Sequence, residues 1–382
     1  MKNITILSVG IGGFANNYLS KMFPDHGNGF EIVGAVEPFP ESCKCLEEFK
    51  TRNIPIYSDI EEFYANHTAD LAVICSPIFL HTRQTLTAIK NGSNVMCEKP
   101  LSGVSSDAEI IEEEAKKQGK FVMTGYQWSY SDAILGLKRD ILEGKLGKPI
   151  FLKTMILWPR NTDYFKRGSG WAGKIKAPDG TIINDSVAAN ATAHYLHNML
   201  FITGKEYKCS EAVNIKADLL RVNDIENFDT AVISFDLDIG GKGLFIASHT
   251  TEKSVNPIFE YRFERAVVRY DENDGMIRAD FNDGTTKEYG RPSTDVHTKK
   301  IYDAINGCRQ SNYRPVCTPY TAAGHVRCIE AVQREKILTP KMHLVKNNNG
   351  FYYIEGLGEI LAECYEKEVM PRDTGALKEV TE

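Results

Sequence analysis

Apolar runs at 4–9, 31–36, 71–75, 94–97 and 121–124 alternate with stretches of helical periodicity at 13–22, 42–50, 81–91 and 105–118. Each helical stretch has the length that a crossover between parallel strands needs. The alternation predicts a doubly wound parallel sheet. From about residue 151 the pattern changes: β-rich segments at 151–158, 209–219, 230–237, 243–250, 258–263 and 266–270 follow one another with few helices between them. They predict a separate α+β domain built on an open, mostly antiparallel sheet, with helices at 186–202, 296–308 and 321–336. There is no internal repeat or low-complexity linker, and the expected division is 1–125 and 126–382.

A length of 382 residues suits two domains. The formal net charge of −6 offers no basic excess for phosphate backbones or anionic lipid. Nucleic acid and membrane are therefore not expected partners. No run approaches the roughly 20 apolar residues that cross a bilayer, and the N-terminus carries no apolar segment of the secretory kind. Nine cysteines, an odd number and scattered through apolar runs, suit a reducing cytoplasm. Cys43 and Cys45 lack a second pair or a nearby His, so no metal site is expected.

The first apolar run leads directly into Gly10-Ile11-Gly12-Gly13-Phe14-Ala15, a glycine fingerprint between strand and helix. Gly10 permits the tight turn, Gly12 lets the backbone approach a pyrophosphate, and Ala15 allows close packing of helix on strand. The helix N-terminus then favours negative charge. Glu37 closes the second run, 37 − 12 = 25 residues past Gly12. A carboxylate there accepts hydrogen bonds from the adenosine ribose and repels a 2′-phosphate, so NAD is expected in preference to NADP.

Cys97-Glu98-Lys99-Pro100-Leu101 follows the run at 94–97, at the edge where ligands of such sheets bind. Lys99 can donate a hydrogen bond to a substrate oxygen and stabilise alkoxide character. Asn190, His194 and His197 are spaced i, i+4, i+7 on one helical face, after Asp185 near the helix start. A histidine is suited to moving a hydroxyl proton near neutral pH. His197 reads instead as a structural histidine, and the spacing of the pair does not match a zinc motif.

With these motifs in order, the sequence resembles the Gfo/Idh/MocA family, the relatives of glucose-fructose oxidoreductase and inositol dehydrogenase. The resemblance rests on the turn at 10–15, Ser76-Pro77 ahead of His81, Glu98-Lys99-Pro100, Gly125-Tyr126-Gln127 and the helix bearing His194. It implies an N-terminal Rossmann domain, cofactor contacts from Gly10, Gly12, Gly13, Phe14, Ala15, Glu37, Ser76, Pro77, His81, Glu98 and Lys99, and dehydrogenase action on a sugar or polyol. It also implies Lys99 as the catalytic lysine, His194 as the proton-transfer histidine, and homodimers or homotetramers paired through an open sheet face. Three positions depart from the family pattern: Asn190 stands where an Asp is usual, His197 where a carboxylate is usual, and Ile78 where an Asn often follows the proline. Asp185 is a candidate for the missing carboxylate and equally a helix-cap residue.

Trp158 and Trp171 flank a polar loop with Arg160, Asp163, Tyr164, Lys166, Arg167 and Lys174. Aromatic faces beside fork-like donors suit a sugar ring, and the cations also suit a carboxylate or phosphate on it; the same residues suit a subunit interface. The substrate-binding set is thus Lys99, Tyr126, Trp171, Lys174, Asp185 and His194, with Asn190 beside them in catalysis. The reading is a cytoplasmic NAD-dependent oxidoreductase acting on a secondary alcohol of a sugar, glycoside or cyclitol. Two others stay open: a redox-neutral NAD-dependent glycosidase working by oxidation and elimination, and a non-catalytic regulator that binds NAD and a sugar.

Overall fold

The computed structural model describes residues 2–167, 170–292, 296–340, 344–347 and 349–376. Two compact units form, Met1–Tyr130 with Asp295–Ala323, and Ser131–Thr294 with Gly324–Glu382.

The first unit is built from β1 (Ile4–Val9), α1 (Ala15–Asp25), β2 (Phe30–Val36), α2 (Leu46–Thr51), β3 (Ile56–Tyr57), α3 (Ile60–Tyr64), β4 (Leu71–Ile74), α4 (Ile78–Lys90), β5 (Asn94–Cys97), α5 (Ser106–Gln118) and β6 (Val122–Thr124). Its sheet has the order β3-β2-β1-β4-β5-β6, parallel throughout. Strands β1 and β4 meet where the winding reverses. They are buried on both faces, which explains runs with no polar alternation. The sequence pattern missed β3 and α3, which are too short to show a period; Asp59 caps α3 by accepting the Glu61 N–H at 2.9 Å. The helix expected at 42–50 is instead a 3-10 turn, Pro40–Ser42, followed by α2. Cys43, in an extended conformation, separates the two.

The second unit holds α6 (Asp132–Leu142), β7 (Pro149–Leu157), α7 (Thr162–Phe165), α8 (Ala193–Thr203), β8 (Ala212–Leu220), β9 (Thr230–Leu237), β10 (Lys242–Ser248), β11 (Val255–Phe263), β12 (Ala266–Asp271), β13 (Ile277–Phe281) and β14 (Thr286–Gly290). The helix α9 (Val296–Gly307) returns to the first unit. There the Tyr302 hydroxyl meets the Asp25 carboxylate, and farther along the Thr124 N–H donates to the Cys317 carbonyl at 2.9 Å. Next come α10 (Pro319–Val332), β15 (Ile337–Leu338), β16 (Leu344–Lys346), β17 (Tyr352–Ile354), α11 (Leu357–Lys367) and α12 (Pro371–Thr374). The turn expected at 347–350 joins β16 to β17, with Asn348 outside the described residues.

The large sheet runs β14-β13-β12-β11-β7-β10-β9-β8-β15. Only the β10–β7 and β15–β8 pairs are parallel. Alternation along β7 gives the sheet two buried faces. Leu152, Thr154 and Ile156 are buried on one. Met155 and Leu157 lie on the other, in a core with Leu220, Val232, Leu244 and Ile246 that is closed by Leu357, Leu361, Cys364 and Tyr365 of α11. The chain thus covers the apolar part of this face with its own C-terminal helix. Across β11 to β14 the same face continues as a charge ladder: Arg269 bonds Glu260 at 2.9 Å and Asp280 at 3.0 Å, and Arg278 bonds Glu288 at 2.8 Å. Among the described residues, no helix is long and apolar enough to cross a membrane.

Leu361 is 1% exposed at the centre of the α11 core. Leu361→Ala should therefore cost about 2–5 kcal/mol in urea or guanidinium unfolding. A loss under about 0.5 kcal/mol, the range of surface substitutions, would show that α11 is not part of the folded core.

Candidate active site

The loops leaving β1, β2, β4, β5 and β6 all emerge at the carboxyl edge of the parallel sheet, where such folds bind ligands. Gly10 donates its N–H to the Val36 carbonyl at 2.8 Å and has φ +76°. A Cβ there would come within 2.7 Å of the Ser76 backbone nitrogen, so the close approach of the β1 and β4 loops requires glycine. At Gly13, φ is +50° and the space beside it is open. Phe14 is partly exposed and packs edge-on against Tyr18 at 5.4 Å, while Ala15 is buried at the start of α1. Glu37 reaches this turn: its carboxylate accepts the Gly12 N–H at 3.4 Å and the Phe39 N–H at 3.2 Å. A glycine turn that opens on free space at a helix start, with an acid 25 positions on, suits a dinucleotide.

Ser76, Pro77 and Ile78 lead into α4, with Pro77 at its cap position and the Ser76 hydroxyl on Gln84 at 2.5 Å. His81 is fully buried. Its two ring nitrogens lie 2.8 Å from the carbonyls of Pro100 and Ser76, so it braces the β4 loop against the β5 loop. Burial pushes its pKa down against the pull of those carbonyls.

Glu98 is also buried. It accepts Lys300 Nζ at 2.6 Å, the Tyr18 hydroxyl, and the Lys99 backbone N–H at 3.1 Å. Burial alone would raise its pKa. The charge and hydrogen bond of Lys300, with Tyr18 and Lys99, outweigh that and hold it below the usual glutamate value. The Tyr18 hydroxyl is pushed well up by burial and then by Glu98, and so stays a donor. Lys300, 0% exposed, also donates to the Gly125 carbonyl at 2.9 Å. It lies 5.3 Å from the Tyr18 ring and 5.6 Å from the Phe14 ring. One ammonium thus ties together the glycine turn, the β5 loop and the β6 exit. Gly125 is part of the fit, since a Cβ there would fall 2.8 Å from the Glu98 carboxyl carbon. Lys99, next to this anchor, is partly exposed. Sequence reasoning missed Lys300. The signal was present: within 296–308, Lys300 shares the apolar face of Ala304, four residues on and fully buried.

In the second unit, the helix expected at 186–202 is split. Val187–Ala191 form a π turn, closed by the Thr192 N–H on the Val187 carbonyl at 3.0 Å and by the Thr192 hydroxyl on the same oxygen at 2.7 Å. Asn190 therefore lies in the π turn, and His194, partly exposed, in the first turn of α8. The capping residue is Ser186, whose hydroxyl accepts the Ala189 N–H at 3.2 Å. Asp185 does something else: one carboxylate oxygen accepts the Gly173 N–H at 2.6 Å and the other accepts Asn190 Nδ2 at 2.8 Å. It fixes the Asn190 amide four residues before the imidazole of His194. His197 is buried and stacked on Phe201 at 5.7 Å, its pKa pulled well down by burial and then by His325 and Lys138. The Asp185 N–H bonds the Lys174 carbonyl at 2.9 Å, which brings the segment of Trp171 and Lys174 to Asp185. The Lys174 ammonium itself pairs with Glu226 at 3.0 Å. Tyr126, in the first unit, is fully buried. Among the described residues, no group of three or more His, Cys, Asp or Glu side chains could hold a metal ion.

The fold and the glycine turn define a dinucleotide-binding domain. Residues 4–126 match the model of the Gfo/Idh/MocA oxidoreductase family, NAD-binding Rossmann fold. The chain is 24% identical over 193 residues to myo-inositol 2-dehydrogenase of Thermotoga maritima, covering 49% of this chain and 52% of that protein. It is 23% identical over 151 residues to 2,7-anhydro-N-acetylneuraminate hydratase of Mediterraneibacter gnavus, covering 40% and 39%. The matches span about half the length, or less, of these curated relatives. The WlbA dehydrogenase of Bordetella pertussis, solved with NADH and UDP-GlcNAcA, superposes with a TM-score of 0.71 at 19% identity, over 87% of this chain and 96% of that one. That likeness is one of fold.

Removing the Lys300 ammonium leaves Glu98 buried without its counter-charge, so Lys300→Met should destabilise the protein by about 3–5 kcal/mol near neutral pH. The penalty should shrink on acidification. In the native protein the lowered Glu98 pKa gives stability that is present above the ordinary carboxylate range and lost as pH falls through its folded value. In the variant, burial raises that pKa, so stability is lost as pH rises. Denaturant unfolding of both proteins at pH 5 and pH 8 measures the gap; one equal at both values contradicts a charged Glu98.

Proposed function

We propose that this chain is an NAD-dependent oxidoreductase that moves hydride between the nicotinamide and a secondary alcohol carbon of a sugar, glycoside or cyclitol. The observation carrying this reading is Lys99, partly exposed beside a buried, charged Glu98 at the sheet edge that holds the glycine turn. The residues fit the cofactor: the turn admits only glycine at position 10, Gly13 opens on free space, and Glu37 stands at the end of β2. NAD, when bound, supplies the hydride acceptor or donor. Glu37 offers two oxygens to ribose hydroxyls and repels a 2′-phosphate, which favours NAD over NADP. Lys99 donates a hydrogen bond to the substrate oxygen and stabilises its developing charge. His194 takes or returns the hydroxyl proton, with Asn190, fixed by Asp185, positioning the substrate hydroxyl.

Trp171, Lys174 and Tyr126 complete the proposed substrate-binding set, and Ser76, Pro77 and His81 the cofactor set. Nine free cysteines suit a cytoplasmic setting. If subunits pair through the large sheet, they do so around α11 and the charge ladder of β11 to β14. The likeness to a protein named as a hydratase favours a second reading, in which oxidation is transient and the net reaction is redox-neutral elimination.

A screen of sugars, glycosides and inositols with NAD at alkaline pH, followed by absorbance of the reduced cofactor, separates the two. The dehydrogenase gives stoichiometric NADH; the eliminating enzyme gives product without it. Lys99→Ala and His194→Ala should each leave NAD affinity within a few fold and lower turnover by about 10²–10⁴. Near-normal turnover in both variants contradicts the assignment. Glu37→Ser should narrow the preference for NAD over NADP in fluorescence titration, and an unchanged ratio removes Glu37 from the cofactor set.

A further inference from the structure

Beyond β7, the chain of the second unit passes through Trp158 and Arg160 into α7. Arg160 is half-buried, its guanidinium 5.7 Å from the Trp158 ring and 5.1 Å from the Tyr164 ring. Its Nε is fully buried and has no hydrogen-bond partner among the described residues. Arg167 lies 3.6 Å over the same Tyr164 ring and 5.4 Å from Trp171, and spends one N–H on the Tyr164 carbonyl at 2.8 Å. Among the described residues, neither guanidinium is ion-paired. The lysines around them are: Lys166 with Asp163 at 3.3 Å and Lys174 with Glu226 at 3.0 Å. Local acids are thus spent on the lysines while two arginines share one aromatic ring.

Stacking satisfies the face of a guanidinium and leaves its in-plane N–H groups pointing outward. A buried N–H without an acceptor is costly and calls for an explanation, a missing ion or ligand among them. Among the described residues, the nearby carboxylate is engaged elsewhere. Asp185 commits both oxygens to Gly173 and Asn190. His249 packs edge-on against Tyr164 at 5.4 Å and is pushed down to about 3 by burial, further lowered by the two arginines against the Trp158 carbonyl, so it stays neutral. The place is also apt: Trp158 packs against Tyr195, the neighbour of His194 on α8, at 5.9 Å.

We propose that Arg160 and Arg167 form a binding site for an oxyanion carried by the substrate, the carboxylate of a sugar acid or the phosphate of a sugar phosphate. The site rests on the saccharide reading above and narrows its substrate class. Forked donors match both groups bidentately, and the stacked rings around them suit the adjoining sugar face.

The test uses the full chain saturated with NAD and calorimetric or ligand-observed NMR titration of D-glucuronate, D-glucose 1-phosphate, D-glucose and myo-inositol. The expected result is that at least one anionic probe binds about tenfold or more tighter than the neutral ones. Arg160→Gln and Arg167→Gln should each abolish that preference, Arg160→Lys should keep part of it, and Lys176→Gln on the exposed loop should not change it. The carboxylate and phosphate arms identify the source of the oxyanion. Equal binding of charged and neutral probes, no binding of any, or preference unchanged in both Gln variants overturns the site. If a neutral sugar reduces NAD equally well in the native protein and Arg160→Gln, the oxyanion site fails and the dehydrogenase reading stands. If anions bind through the arginines but no saccharide yields NADH, the site stands and the dehydrogenase reading fails.

Discussion

A carboxylate buried at the end of a parallel strand must be neutralised or paired, and the first unit depends on how Glu98 meets that demand. Burial favours the protonated acid, but an adjacent ammonium and a tyrosine hydroxyl reverse the balance and keep the charge. The pairing organises more than one residue. Lys300 also holds the Gly125 carbonyl and faces the rings of Phe14 and Tyr18, so the turn that would receive a pyrophosphate and the loop that presents Lys99 share one anchor. A buried ion pair adds little net stability compared with apolar packing, but it is directional. Directionality is what a site built from separate loops needs, because each strand end alone leaves its loop free to move.

The second unit solves a different problem. Its sheet is wide, with two apolar faces along β7, and one is closed by a helix from the far end of the chain. Charged side chains are paired across neighbouring strands on the rest of that face. Around the π turn the polar groups are arranged for orientation. Asp185 anchors the Gly173 backbone and the Asn190 amide together, so a carboxylate lies against the neutral Asn190.

Much of this was legible in the sequence, and the reasons are local. Strands buried on both faces, such as β1 and β4, leave apolar runs of strand length. The glycine turn is visible because only glycine tolerates the approach to Ser76. Glu98-Lys99-Pro100 stands out because a charged pair at a strand end is unusual. What escaped depends on distant partners. Lys300 lies 202 residues from Glu98, and periodicity marks its helix without saying where that helix packs. The split of the 186–202 helix follows from Thr192 turning its hydroxyl back on Val187, which no 3.6-residue pattern reveals. Asp185 was expected either to cap a helix or to supply a carboxylate; the cap is Ser186, whose hydroxyl, three residues before Ala189, accepts the Ala189 N–H. The covering of the sheet by α11 was missed because amphipathicity shows that a helix buries a face, and not against what.

Hydride transfer itself is the central claim, and it is tested most directly by following the hydrogen. The full chain is incubated with NADH deuterated at nicotinamide C4 and a mixture of keto sugars, aldoses and inososes, and the carbohydrate is analysed by mass spectrometry. The account predicts one deuterium on a carbinol carbon of at least one saccharide, and loss of that label in Lys99→Ala while NADH still binds. Cofactor bound normally, with no deuterium in any saccharide, would contradict it.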